Sequence, residues 1–230
     1  WDVGLGGILA DDMGLGKTIQ VLAMIQRAAE AGELTGPVLI VAPTSVLATW
    51  QNEAARFTPS LHTVVLEQTR RTAKVDLDEA IRDADLVITS YAVARLDEAA
   101  LGSRPWSALV LDEAQFVKNH QSKTYQVIRR LPTARRLALT GTPIENSLMD
   151  LWSMLSIVAP GLFPRPQSFR DEWARPIENG ADGDRLATLR RRIRPLMLRR
   201  TKDAVAADLP PKQEQVLMVD LHPRHRAIYD

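Results

Sequence analysis

Six short apolar runs, rich in β-branched residues, recur along the first part of the chain: Gly6–Ala10, Val38–Ala42, His62–Leu66, Leu86–Thr89, Leu109–Leu111 and Leu137–Leu139. The segments between them mostly carry helical periodicity, and this alternation constrains the fold more than any other feature. The runs are apolar throughout rather than at every second residue, as strands covered on both faces should be. Right-handed crossovers between parallel strands bring the loops that follow the strands to one edge of the sheet, where ligands bind in such folds. The expected fold class is α/β, a mostly parallel sheet with helices on both faces.

The alternation stops near Thr142. Helical patterns follow at Leu148–Val158, Gln167–Ala174 and Asp184–Ile193, broken by Pro160, Pro164, Pro166, Pro176 and Pro195, which predicts a helical insertion or protrusion. A strand-like segment follows Pro195, and a last strand-like run, Gln215–Leu221, comes after Pro210 and Pro211. The expected division is an α/β lobe at 1–144, a protrusion at 145–200 and a linking segment at 201–230. Starting at Trp1 and ending at Asp230 without any terminal signal, the chain reads as cut from something longer.

The strongest chemical signal is Asp11-Asp12-Met13-Gly14-Leu15-Gly16-Lys17-Thr18, between the first apolar run and the helical pattern Ile19–Ala29. A strand, a glycine-rich turn and a helix in that order make a phosphate loop. The turn around Gly14, Leu15 and Gly16 aims backbone N–H groups at phosphates, Lys17 reaches the outer phosphates, Thr18 offers a hydroxyl to magnesium, and the helix dipole adds positive potential. The motif departs from the commonest pattern at its first position, where Asp11 stands for glycine. The second signal is the run Leu109–Leu111 ending in Asp112 and Glu113. Alone, such a pair is usually a solvated helix cap. Beside a phosphate loop it divides the labour of phosphoryl transfer to water, with Asp112 serving magnesium and Glu113 orienting the water. Ala42-Pro43-Thr44-Ser45, Thr89-Ser90-Tyr91 and Thr140-Gly141-Thr142-Pro143 put hydroxyls at further strand ends, suited either to helix capping or to phosphate contacts.

Composition narrows the classes. At 230 residues, 45% hydrophobic and 25% charged, the chain can bury one substantial core with residues left for an appendage. No apolar run approaches the roughly 20 residues of a membrane helix, and no leader is visible, so an intracellular protein without a membrane partner is expected. With no cysteine and four scattered histidines, any metal must be held by oxygen ligands. Arginine outnumbers lysine 23 to 6, which predicts a GC-rich bacterial source and a cytoplasmic, nucleoid-associated setting. The net charge of +1 conceals an uneven distribution: Arg185 to Lys202 holds eight basic and no acidic residues, leaving 21 basic against 28 acidic elsewhere.

Read in order, GGILADDMGLGKTIQ, VLIVAPTSVLATWQNE, LVITSYAVAR, LVLDEAQFVKN, LALTGTPIENSLMDLWSML and LRRTKDAVAADLPPK resemble the sequential motifs of the Swi/Snf-type ATPases of helicase superfamily 2, over nearly the whole chain. The resemblance implies the first RecA-like P-loop lobe of a double-stranded DNA translocase that uses ATP and Mg2+ to remodel protein–DNA complexes. It implies ATP binding through Gly14, Leu15, Gly16, Lys17, Thr18 and Gln115, and catalysis by Lys17, Asp112 and Glu113. DNA contacts are implied at Thr44, Ser45, Trp50, Thr89, Ser90, Tyr91, Lys118 and Asn119, and coupling of nucleotide state to DNA grip at Thr140, Gly141 and Thr142. Gln115 stands where many relatives carry histidine, which puts its contact to the coupling motif in question. The partners implied are duplex DNA, proteins bound to it, and a second RecA-like lobe that carries the completing arginine and lies outside this chain, as does the upstream adenine-recognition segment. A helicase or restriction-type translocase lobe shares the loop and carboxylate box, but the tail LRRTK and the extended TGTPIENSLMDLW favour the Swi/Snf branch. A nucleotide-binding scaffold has no need of both carboxylates, and a small-molecule kinase would need a lid that the chain lacks.

Overall fold

The computed structural model describes residues 6–74, 76–133, 135–144, 147–180 and 183–205. The run Gln215–Leu221 and residues 206–230 of the linking segment lie outside these.

Each of the six apolar runs forms a strand: β1 (Gly7–Leu9), β2 (Val38–Ala42), β3 (Thr63–Leu66), β4 (Leu86–Ser90), β5 (Ala108–Leu111) and β6 (Arg136–Leu139). A seventh, β7 (Met197–Leu198), is the strand-like segment after Pro195. The sheet order is β3-β4-β2-β5-β6-β1-β7, and every pairing is parallel. The motif-bearing loops after β1, β2, β4, β5 and β6 therefore all leave the same edge.

Strand residues alternate between two cores. Val38, Ile40 and Ala42 face one with Leu22 and Ile25, while Leu39 and Val41 face the other with Tyr125 and Trp152. The first core is closed by α1 (Lys17–Glu30), whose Val21, Leu22, Ile25 and Ala28 form one buried stripe at helical spacing, and by α2 (Leu47–Phe57) through Leu47, Trp50 and Ala54. The second is covered by α3 (Tyr91–Leu96), α4 (Lys123–Arg130) and α5 (Leu148–Val158). Every residue of β2 is fully buried, and each large aliphatic side chain so placed contributes about 1.5–3 kcal/mol. That burial makes the sheet edge a rigid base for the loops.

The packing runs across the expected seam at residue 144. Helix α5 lies against β1 and β6 with nine of its eleven residues buried, so it belongs to the α/β core. The elaboration beyond it shares that core through Phe163, Phe169 and Leu189, with an aromatic cluster of Phe163, Phe169 and Trp173. The helical pattern expected over Gln167–Ala174 is resolved into a short α-turn, Pro166–Phe169, followed by a π-turn at Arg170–Ala174. After α6 (Gly183–Ile193) the chain returns to the sheet as β7.

Candidate active site

The phosphate loop leaves β1 and turns into α1 through Gly14 at φ 85° and Gly16 at φ 72°, both left-handed, where an L side chain would be strained. Gly16 caps α1, so the loop's backbone opens onto the helix N-terminus. The Lys17 ammonium lies within the curl, donating to the Asp11 carbonyl at 2.8 Å and the Asp12 carbonyl at 3.4 Å. Thr18, also in the first turn, is half-buried.

Asp11 explains the missing glycine. Its side chain is fully buried and paired with Arg200, whose Nη2 donates to Oδ2 at 2.5 Å and whose backbone N–H donates to Oδ1 at 2.9 Å. Gln20 ties the same cluster together, donating to Asp11 Oδ2 at 3.3 Å and to the Leu15 carbonyl at 2.9 Å. Burial pushes the Asp11 carboxyl upward, but the hydrogen bonds from Arg200 and Gln20 outweigh it and hold the group below the usual aspartate value.

The carboxylate box leaves β5. Its chain turns sharply at Glu113, a non-glycine residue at φ 47°, at a strain of roughly 1–2 kcal/mol. That turn lets successive carboxylates diverge and brings the Glu113 N–H to Asp112 Oδ1 at 2.9 Å. Asp112 Oδ2 accepts from the Trp50 indole at 2.8 Å, and its carbonyl accepts from the Tyr91 hydroxyl at 2.8 Å. Burial, with the Glu113 charge beside it, raises the Asp112 carboxyl above its ordinary value, although the Trp50 hydrogen bond and the Lys17 ammonium pull the other way. The loop after β1 and the loop after β5 thus share one electrostatic site, two strands apart.

Between them stands β6. Gln115 donates to Glu113 at 2.8 Å and accepts from the Thr140 hydroxyl at 3.2 Å, and Thr140 accepts from the Thr142 N–H at 3.0 Å. Gln115 therefore makes the contact between carboxylate box and Thr140-Gly141-Thr142, with its amide committed there. A Cβ on Gly141 would come within 3.2 Å of Met13 Cγ, so this third loop also abuts the tip of the phosphate loop.

The expected DNA-contacting residues divide. Thr44, Ser45 and Asn119 are exposed and Lys118 half-buried near the loop edge. Trp50, Thr89, Ser90 and Tyr91 instead have their side chains turned inside: each is at most 5% exposed, and their polar atoms serve Asp112, the Leu66 carbonyl, the N-terminus of α3 and the Asp112 carbonyl. A side chain spent inside cannot grip a ligand outside. Tyr91 also stacks on Phe116 with ring centroids 5.1 Å apart. Gln20, Arg200 and Lys202 join the site from outside the phosphate loop and the carboxylate box. The visible signal was Asp11 itself, an acid in a glycine's place that needs a cation.

The SNF2-related domain family matches residues 2–230. The chain is 40% identical over 229 residues to YwqA of Bacillus subtilis, covering 99% of this chain and 25% of that protein. It is 35% identical over 232 residues to the ISWI chromatin-remodeling complex ATPase CHR11 of Arabidopsis thaliana, covering all of this chain and 22% of the relative. Among solved structures, the SWI2/SNF2 ATPase core of Sulfolobus solfataricus in complex with double-stranded DNA superposes with a TM-score of 0.81 at 40% identity, covering 99% of this chain and 47% of that one. The chain spans about a quarter of these full-length relatives and about half of the solved core.

Proposed function

Since the chain belongs to the SNF2-related domain family, we propose that it is the nucleotide-binding lobe of an ATP-hydrolysing translocase acting on double-stranded DNA, with remodelling of protein–DNA complexes as its task. The observation that carries this reading is the three-loop relay: phosphate loop, carboxylate box and Thr140 loop joined through Gln115. A scaffold that only bound nucleotide would not need two diverging carboxylates linked to a neighbouring strand end.

Magnesium fits this donor set. Among the described residues no cluster of three acidic or histidine side chains could cage a metal, whereas Asp112, a partly buried carboxyl held above its usual pKa, feels the charge of Lys17, the residue that precedes Thr18. That suits an ion that takes one carboxylate and draws its other oxygens from phosphates and water. Thr18 and Asp112 would hold it, and when bound it neutralises charge on the transferring phosphoryl group. Lys17 binds the outer phosphates, the Gly14 to Lys17 backbone cradles them, and Glu113 orients the attacking water while Gln115 holds its carboxylate. Gln115 then relays the position of Glu113 to Thr140.

Thr44, Ser45, Lys118 and Asn119 are the DNA-backbone contacts of this reading, and the exposed Arg190 and Arg191 add charge on the protrusion. Arg192 is partly committed, its guanidinium lying 5.0 Å from the Trp173 ring centre. A second lobe supplies an arginine across the cleft, a contribution on the order of 1,000-fold or more in related transfers. The test is ATP turnover by the full-length parent with and without duplex DNA, beside the same measurement on residues 1–230 alone. Stimulation by DNA in the parent and very slow turnover in the isolated chain is the expected pair. A parent indifferent to DNA would overturn the reading.

A further inference from the structure

The segment from Leu198 to Lys202 runs across the phosphate loop and is sewn to it. The Ala10 N–H donates to the Leu198 carbonyl at 2.7 Å, the Asp12 N–H to the Arg200 carbonyl at 3.0 Å, and the Lys202 N–H to Asp12 Oδ2 at 3.1 Å. Arg200 adds the ion pair with the buried Asp11 carboxylate and a bond from Nη2 to Gln20 Oε1 at 2.5 Å. Backbone bonds on both sides and a charged pair between them fix where the next side chain starts. Lys202 then extends to the middle of the loop, where its Cε and Nζ both lie 3.5 Å from the position a Cβ would take on Gly14.

Resting on the nucleotide reading above, we propose that Lys202 is a second polyphosphate-binding lysine of this lobe, and that Arg200 is a positioning residue that delivers it through Asp11. Gly14 belongs to the backbone cradle. An ammonium beside that glycine stands where the phosphates of a bound nucleotide would collect their charge, and it supplies a compact point charge of the kind phosphates take. No carboxylate side chain pairs with this ammonium among the described residues, whereas Arg200 beside it is committed. Two lysines from opposite ends of the sequence, Lys17 and Lys202, would thus close on one polyphosphate.

Calorimetric titration of the full-length parent with magnesium-ATP and with inorganic triphosphate tests this. Lys202→Ala and Lys202→Met should each weaken both ligands about tenfold, the loss of one charged contact, while Lys202→Arg stays within about threefold of the parent. Because the side chain is exposed, the melting temperature of the nucleotide-free protein should not move. Arg200→Ala should produce the same loss, and the Arg200→Ala, Lys202→Ala double variant no more than either single, since one acts through the other. Unchanged triphosphate affinity in Lys202→Ala, equal losses in Lys202→Arg and Lys202→Met, or additive losses in the double variant would each overturn the proposal. Lys17→Ala separates the two levels: if it loses ATP while Lys202→Ala does not, only this inference fails. If Lys17→Ala binds ATP normally, the phosphate loop is misread and both fail.

Discussion

Asp11 and Asp112 end strands of the same sheet, two positions apart, yet their carboxyl groups are held in opposite ways. Asp11 is fully buried against a cation from the far end of the chain, and the hydrogen bonds of Arg200 and Gln20 lower its pKa in spite of burial. Asp112 is held by neutral donors, the Trp50 indole and the Glu113 N–H, and burial raises its pKa. The first is therefore an anion matched by a partner within the fold. The second carries a charge the fold leaves under-compensated, which is what a site built to receive a cation requires.

The largest effect should come from dividing binding from chemistry across these two loops. Glu113→Gln in the parent should lower ATP turnover by about 100- to 10,000-fold, the range for loss of a positioned base, while nucleotide affinity is kept. Lys17→Ala should abolish turnover together with affinity. Single-turnover measurements beside nucleotide titration check both, and a Glu113→Gln that cannot bind nucleotide would erase the distinction between the loops.

A smaller effect should follow from the neutral scaffold of Asp112. Trp50→Phe keeps most of the apolar bulk but removes the indole donor to Oδ2. The magnesium concentration giving half-maximal turnover should rise about 10- to 100-fold, as when the hydrogen-bond partner of a metal-binding group is lost. An unchanged midpoint would make Trp50 a core residue only.

The Trp50 position also shows where legibility in the sequence ended. The strands β1 to β6 were readable because residues buried on both faces must all be apolar, a local constraint. The glycines, Lys17 and the Asp112-Glu113 pair were readable because their chemistry needs close spacing. Trp50 lay beside a phosphate-contact motif and passed for part of it, since nothing local announces a hydrogen bond to a residue 62 positions away. Arg200 lies 189 positions from Asp11, inside a basic segment whose charges look alike. The segment after Pro195 could be recognised as strand-like. That it would pair with β1 and end on the phosphate loop depends on the completed sheet, as does the fusion of α5 with the core.

Acidity should separate the aspartates by sign. The lowered Asp11 contributes stability that is present above the ordinary carboxylate range and lost as pH falls through its folded value, so Asp11→Asn should flatten the acid limb of a stability profile. The raised Asp112 behaves in reverse: its contribution is present below the unfolded value and lost as pH rises through the folded one. Asp112→Asn should consequently melt a few degrees higher than the parent at neutral pH while losing turnover. Thermal melts from pH 3 to 8 check both, and a neutral-pH loss of stability in Asp112→Asn would show that its charge is compensated after all.

The smallest effect should be that of salt, which acts on only one of the two loops. The Arg200 side chain is 39% exposed, so ions reach the Arg200–Asp11 pair, and raising salt from 0.05 to 0.5 M shortens the screening length from roughly 14 to roughly 4 Å. The bonds that orient Asp112 are neutral at the donor and need no screening-sensitive partner. Two amides report the difference directly. That of Asp12 donates to the Arg200 carbonyl at 3.0 Å and shares the fate of the ion pair, while that of Asp112 donates to Val41 at 2.9 Å inside the sheet. Hydrogen exchange in the parent should be a few-fold faster at Asp12 in high salt and unchanged at Asp112. Equal acceleration would mean that the loops open together as one cooperative unit, in which case the opposed settings of the two aspartates belong to a single element. No acceleration at either would place the stability of the Arg200 segment in its backbone bonds to Ala10 and Asp12 rather than in its charge.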